Sequence, residues 1–144
     1  MRRILFASDF SKASRKAFAA AVKTAKGTHA TLSIAHVLLP FVPVGVDHYV
    51  GPDTWEQLDE QARKSATRQL DRLAARAKHA GVRVRTFLVE GPPAREIRRL
   101  ARRTHADLLV LGTHGRTGLT KLFLGSVASG VVASATCPVM TVRG

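Results

Sequence analysis

Two segments of the sequence carry residue types that could bind a phosphate group. The first is Ala7-Ser8-Asp9, and the second runs from Gly112-Thr113-His114-Gly115-Arg116-Thr117-Gly118 to Gly125-Ser126-Val127-Ala128. Glycines let a backbone turn sharply and approach a ligand closely. The unpaired N–H groups at a helix start attract an anion, and an arginine adds charge. A simple turn explains the same glycines equally well, so the spacing alone leaves both interpretations open.

Other kinds of chemical site find less support in the sequence. No Gly-Lys-Ser or Gly-Lys-Thr occurs, which excludes a P-loop, and a dinucleotide fingerprint should follow the first strand. The six histidines and the one cysteine lack metal-ligand spacing. We interpret His36 as a packed strand residue and Cys137 as structural. For His114, a phosphate contact and an exposed loop position are both open.

Strand patterns and helix patterns alternate along the chain. Apolar runs or alternation predict strands at residues 3–8, 31–37, 82–89, 107–111 and 138–142. Apolar residues at helical spacing predict four helices between them. The first is capped by Ser11 or Asp9 and stopped by Gly27, the second carries apolar residues from Trp55 to Ala77, the third follows Gly91-Pro92-Pro93, and the last covers residues 125–135.

This alternation predicts an α/β fold with a mainly parallel five-stranded sheet and helices on both faces, as one domain over residues 1–144. Ligands of such sheets collect at the carboxyl ends of the strands, where the strand order reverses. Both candidate segments follow strands at that edge. The loop at residues 38–53 is long for a compact domain, which is typical of functional loops.

The spacing Gly112-x2-Gly115-x9-Gly125-Ser126 resembles the nucleotide-binding motif of the universal stress protein family. Five further segments resemble that family in the same order, so that the likeness covers nearly the whole chain. They are Arg3-Ile4-Leu5-Phe6-Ala7-Ser8-Asp9-Phe10-Ser11, Ala35-His36-Val37, Glu90-Gly91-Pro92, Ala106-Asp107-Leu108-Leu109-Val110-Leu111-Gly112 and Cys137-Pro138-Val139.

The resemblance implies a strand order of 3-2-1-4-5 and an adenine nucleotide lying across strands one and four. ATP is the expected ligand, with or without Mg²⁺, and ADP or AMP are alternatives. Asp9 would receive the adenine or ribose, beside a base pocket of Ala7, Ser8 and Val37. The ribose and phosphates would be held by Gly112, Gly115, Arg116, Gly125, Ser126 and Val127. Ala128 departs from the family, whose ATP-binding members often carry a hydroxyl residue there.

Composition sets limits on location and partners. The chain has 23 Lys and Arg against 10 Asp and Glu, a formal charge of +13, which favours encounters with polyanions. A solvated basic surface is the default interpretation, including the arginine pairs 98–99 and 102–103. No apolar run is long enough for an export signal or a membrane span, and one cysteine suits a reducing compartment. We therefore expect a cytoplasmic protein.

Two classes of function remain open at this point. A binding or signalling module would report nucleotide state with little or no turnover, through a protein partner that the sequence does not name. An enzyme would hydrolyse ATP slowly or transfer an adenylyl group, but Asp9 is the only acid in either segment. Nucleic-acid binding through the basic surface is a weaker third hypothesis. The nearly uncharged strand at residues 138–142 is an edge in the inferred order, which predicts a homodimer through it.

Overall fold

The computed structural model describes residues 1–40, 51–114 and 124–144. Strands and helices alternate through these residues. Their bounds are β1 (Arg3–Ala7), α1 (Lys12–Thr28), β2 (Thr31–Leu38), α2 (Pro52–His79), β3 (Arg83–Glu90), α3 (Pro93–Arg103), β4 (Leu108–Gly112), α4 (Ser126–Val132) and β5 (Val139–Val142).

The strands form one sheet in the order β3-β2-β1-β4-β5, and each neighbouring pair is parallel. The predicted α/β fold and the predicted order 3-2-1-4-5 are therefore confirmed. The order reverses between β1 and β4, since β2 follows β1 on one side and β4 lies on the other. The carboxyl ends of these strands meet at one edge of the sheet, and the chain leaves β1 and β4 there in opposite directions.

Each face of the sheet is covered by its own pair of helices. On one face, α1 and α2 pack on a core that includes Ile4, Phe6 and Val110. On the other face, α3 and α4 pack on a core that includes Leu5 and Leu109, which alternate along the strands with the residues of the first core. Successive side chains of a strand point to opposite faces, so β1 and β4 contribute to both cores and read as continuous apolar runs.

The helix ends differ from the predicted ones in two places. Gly27 was expected to stop α1, but the helix continues to Thr28 and His29 takes the left-handed conformation at φ 53°, with its N–H bonded to the carbonyls of Ala25 and Lys26. The prediction was wrong because an exposed glycine in the last turn of a helix need not break it. The last helix is also shorter than residues 125–135. Ser11 does cap α1, as its Oγ accepts the Ser14 N–H at 3.2 Å.

Within the described ranges, no helix has both the length and the apolar composition that crossing a membrane requires.

Candidate functional site

A cavity of about 520 Å³ lies at the carboxyl ends of β1, β2 and β4, on the side of α3 and α4. It extends from the end of β2 to the start of α4. Its described lining is Ala7, Ser8, Asp9, Ser14, Ala35, His36, Val37, Leu38, Leu39, Pro93, Ile97, Leu111, Gly112, Thr113, His114, Gly125, Ser126, Val127 and Ala128. This is the edge and the reversal point at which α/β sheets hold ligands.

The structure brings together the predicted site residues that it describes. The lining includes Ala7, Ser8, Asp9, Val37, Gly112, Gly125, Ser126 and Val127. Gly115 and Arg116 lie outside the described residues. Segments far apart in sequence thus meet around one space.

The chain turns sharply after β1 and fixes the Asp9 carboxylate at the start of α1. Asp9 Oδ1 accepts the Ser11 N–H at 2.9 Å, while Ser8 Oγ accepts the Phe10 N–H at 3.1 Å. Phe10 sits at φ 62°, a conformation that bulky residues rarely adopt. Ser8 Oγ also shares a hydrogen bond of 2.9 Å with the buried Ser14 Oγ. These bonds hold the end of β1 in a single geometry beside the cavity.

His36 is part of the cavity wall, which the interpretation as a simply packed residue did not anticipate. Its Nδ1 lies 2.7 Å from the carbonyl oxygen of Ser8, and because a carbonyl only accepts, Nδ1 carries the proton and donates. Its ring stacks on Phe10 with the ring centroids 4.3 Å apart. The sequence did hold one indication that His36 could reach the site. The residue lies near the carboxyl end of β2, the neighbour of β1, and Ser8 directly follows β1.

Gly112 has a packing reason to be glycine that is separate from any ligand. A Cβ built there would lie 3.3 Å from Ala13 C and from Ser14 N, both backbone atoms of the first turn of α1. The end of β4 therefore lies so close to α1 that a Cβ would require a shift of a few tenths of an ångström. Close helix–strand packing is thus a second reason for glycine at this position, beside the expected approach of a ligand.

The ends of β4 and α4 converge although residues 115–123 separate them. The Gly125 N–H donates to the Thr113 carbonyl at 2.6 Å, and the Thr113 N–H donates to the Val142 carbonyl at 3.0 Å. Thr113 Oγ1 and His114 Nδ1 share a bond of 2.8 Å, and both residues line the cavity. Gly125 has φ −59°, which any residue adopts, so its backbone conformation does not require glycine.

The cavity wall combines apolar and polar groups. Small and branched apolar side chains include Ala35, Val37 and Ile97. Hydroxyl and imidazole groups come from the β1 and β2 side, as at Ser8 and His36, and also from the β4 and α4 side. Asp9 is the only carboxylate in the described lining. Ser14 and Ala35 were not predicted as site residues, since only the packing of α1 and the pairing of the strands place them there, whereas Thr113 belongs to the second candidate segment.

Cys137, which was interpreted as structural, is not among the residues that line the cavity. It packs against the core under α3 and α4, and burial raises the pKa of its thiol, which favours the protonated form. Along the described ranges, no three His, Cys, Asp or Glu residues are placed to hold a metal ion. A Mg²⁺ that accompanies nucleotide phosphates takes only one or two protein carboxylates and keeps several waters, so such an ion does not need a protein cage.

Comparison with known proteins gives a consistent result over the full length. The model of the universal stress protein family matches residues 1–143. The chain is 34% identical over 144 residues to a universal stress protein of Methanocaldococcus jannaschii, covering 99% of this chain and 82% of that one.

Two solved structures show the same architecture. The universal stress protein UspA from Lactobacillus plantarum aligns with a TM-score of 0.80 at 27% identity, over 99% of this chain and 97% of that one. A universal stress protein solved in complex with cAMP aligns with a TM-score of 0.73 at 25% identity, over 99% and 96% of the two chains.

Proposed function

The chain belongs to the universal stress protein family, and from that membership we propose that it binds an adenine nucleotide in the 520 Å³ cavity. The observation that carries the proposal is the convergence of the predicted residues of β1, β2, β4 and α4 on one space. Sites for small organic ligands typically measure about 300–1,000 Å³, so the cavity has room for a nucleotide. The similar protein solved with cAMP supports the same ligand class.

The proposed orientation follows the family resemblance. The base would lie among Ala7 and Val37, with Asp9 receiving the adenine or ribose, because apolar walls favour a flat heterocycle. The phosphates would lie toward Gly125, Ser126 and Val127, where helix N–H groups have no acceptor within their own helix. The family resemblance adds Gly112, Gly115 and Arg116 to that end. Ala128 lines the cavity without a hydroxyl, so this chain makes one phosphate contact fewer than a hydroxyl residue there would give.

The proposed ligand is ATP, with or without Mg²⁺, and ADP and AMP are the competitors to compare. Phosphoryl transfer needs a metal-binding acid and a positioned nucleophile at the phosphates. The one carboxylate of the described lining, Asp9, is engaged by the Ser11 N–H at the proposed base end. We therefore favour a cytoplasmic stress-signalling module with little or no turnover. The unpaired Cys137 fits that reducing compartment.

Calorimetry with adenosine, AMP, ADP and ATP tests the site. Gly125→Val would place a side chain in the proposed phosphate region and should abolish ATP binding. Gly51→Val is the matched control. Gly51 also precedes a helix and has φ −64° and ψ 157° against −59° and 158° for Gly125. No atom of the described residues lies within 4 Å of its Cβ position. Asp9→Ala should weaken all four ligands. Equal ATP affinity in the wild type and the Gly125 variant would contradict the proposed orientation.

Direct identification of a co-purified ligand tests the ligand class. Denaturing the purified protein and separating what it releases should give an adenine nucleotide. A single-turnover assay with labelled ATP and Mg²⁺ measures hydrolysis independently. If Asp9→Ala eliminated hydrolysis but left the affinity for adenosine intact, the protein would be an enzyme and not a binding module.

We also propose a homodimer through β5, the edge strand next to β4. Pro138 and Val142 accept hydrogen bonds from β4 residues and therefore face the sheet. Alternation along a strand then directs the N–H and C=O groups of Val139 and Thr141 outward. An edge with few charges and open backbone groups favours pairing with a second copy around a two-fold axis.

A further inference from the structure

A second concavity lies between α1 and α2, on the opposite face of the sheet from the proposed nucleotide cavity. Its volume is about 240 Å³. It is lined by Ser8, Phe10, Ser11, Ser14, Arg15, Gln69, Arg72, Leu73 and Arg76. We refer to this set of residues as the arginine cleft. Neither the family resemblance nor the proposed nucleotide site uses its arginines.

The described residues that line the arginine cleft carry positive charge only. Three guanidinium groups line it, and its described lining contains no aspartate or glutamate. Other arginines of the chain do have carboxylate partners: Arg63 pairs with Asp59 and Glu90. Within the described ranges, no such ion pair is made by Arg15, Arg72 or Arg76. Like charges that face one space repel, and a bound anion would remove that repulsion.

The arginines converge because two helices pack side by side. Arg72 and Arg76 are four residues apart on α2, and Gln69 precedes Arg72 by three, so these side chains share one helix face. Arg15 comes from the first turns of α1. The Arg76 guanidinium lies 5.2 Å from the centroid of the Phe18 ring, which orients it over the junction of the two helices.

Hydroxyl groups and the start of α1 complete the arginine cleft. Ser8 and Ser14 are 7% and 3% exposed, and their hydroxyls are hydrogen-bonded to each other. Ser11 caps α1, a helix of 17 residues with no acidic residue in its first turn. The positive end of the helix dipole therefore adds to the field of the arginines. The nearby carboxylate of Asp9 lines the other cavity and accepts the Ser11 N–H.

We propose that the arginine cleft binds a small phosphoryl-bearing anion of the phosphate or pyrophosphate class. Guanidinium groups match phosphate oxygens with paired N–H donors. Ser11 can donate its hydroxyl proton, and the bonded pair of Ser8 and Ser14 has one further proton to donate. A volume of about 240 Å³, below the roughly 300 Å³ at which sites for larger organic ligands begin, suits a small anion. The proposal goes beyond nucleotide binding in the 520 Å³ cavity and does not depend on it.

Calorimetry with inorganic pyrophosphate in 0.15 M KCl tests the proposal. We expect one equivalent to bind to the wild type, and Arg72→Gln/Arg76→Gln to weaken it roughly tenfold or more, since a hydrogen bond to a charged group contributes at least about a factor of ten. Arg98→Gln/Arg102→Gln is the control, because it removes two arginines four residues apart on α3 and the same net charge. This control should bind within twofold of the wild type.

Two further variants make the outcome unambiguous. Arg15→Gln, on the other helix, should also weaken pyrophosphate binding, so the result does not depend on α2 alone. Gly125→Val should leave it unchanged, because that substitution obstructs only the proposed phosphate end of the nucleotide cavity. No binding to the wild type, or equal weakening in the α2 and α3 variants, would overturn the proposal. Loss in the Gly125 variant alone would assign pyrophosphate to the nucleotide cavity and would equally overturn it.

Discussion

Replacing Gly112 by alanine tests whether the end of β4 is held against α1 by close packing. The new Cβ would lie 3.3 Å from Ala13 C and from Ser14 N, and 3.4 Å from Ala13 Cβ. Favourable carbon contacts lie at about 3.5–4.0 Å, so the strand and the helix must separate by a few tenths of an ångström. Two of these atoms belong to backbone that the Ser11 cap fixes, which limits that adjustment.

The expected loss of stability is about 1 kcal/mol. Overpacking of a well-packed site costs roughly 1–3 kcal/mol, and a single methyl group with a small required shift suggests about 2. Glycine-to-alanine replacement returns about 0.4–1 kcal/mol by restricting the unfolded chain. Urea unfolding followed by circular dichroism should therefore show a lower midpoint with an unchanged slope.

Gly27→Ala supplies the control for the unfolded-state effect. Gly27 lies inside α1, and nothing is within 4 Å of its Cβ position. Alanine there should stabilise the protein by about 0.5–1 kcal/mol. The free energy of unfolding should thus be lower than that of the wild type in the Gly112 variant and higher in the Gly27 variant. The two variants should differ from each other by about 2 kcal/mol. A Gly112 variant that is as stable as the wild type, or more stable, would refute the packing argument.

Three other substitutions have definite expected outcomes. The N–H groups of Arg2 and Arg3 donate to the Asp107 carboxylate and lower its pKa, so the carboxylate stabilises the fold at any pH above its unfolded pKa. Asp107→Asn should therefore be less stable than the wild type at pH 7. This difference in stability should vanish as the pH falls through the lowered pKa. A stability difference that does not shrink as the pH is lowered would contradict this. Thr141→Pro removes an outward donor of β5 and should convert a dimer into a monomer by light scattering, whereas a monomeric wild type would refute the dimer. Gly91→Ala should cost about 2 kcal/mol or more in thermal unfolding, because φ is +143° and the Cβ would meet the buried Glu96 side chain at 2.9 Å; unchanged stability would contradict that reasoning.

The sheet could be predicted because its signals are local in sequence. Apolar runs bounded by polar residues marked β1 and β4, and burial on both faces explains why those runs do not alternate. The strand order came from the family resemblance, not from the patterns. The end of α1 was misjudged, since the helix stop depends on which residue takes the left-handed conformation. His29 takes it here although a glycine lies two positions earlier.

The candidate site could be predicted where residues follow strands directly, as at Ser8, Asp9 and Gly112. Side chains contributed by neighbouring elements could not. Ser14 reaches the cavity only because α1 packs against the end of β4, and His36 was interpreted from its strand alone. The arginine cleft escaped prediction for the same reason. On α2, Arg72 and Arg76 belong to a polar face that is typical of solvent exposure, and only the position of α1 places Arg15 opposite them.

The bonded hydroxyls of Ser8 and Ser14 lie in the walls of both cavities. Either oxygen can be the donor, so this bond has two directions that differ only in the rotation of two protons. A ligand that bonds to either hydroxyl from one face would fix which serine donates to the other. It would thereby decide whether the second cavity meets a hydroxyl proton or an oxygen lone pair. Any influence transmitted in this way is reciprocal, because linkage requires each ligand to alter the affinity of the other by the same factor. The sheet edge would then communicate between its faces without moving a helix or a strand.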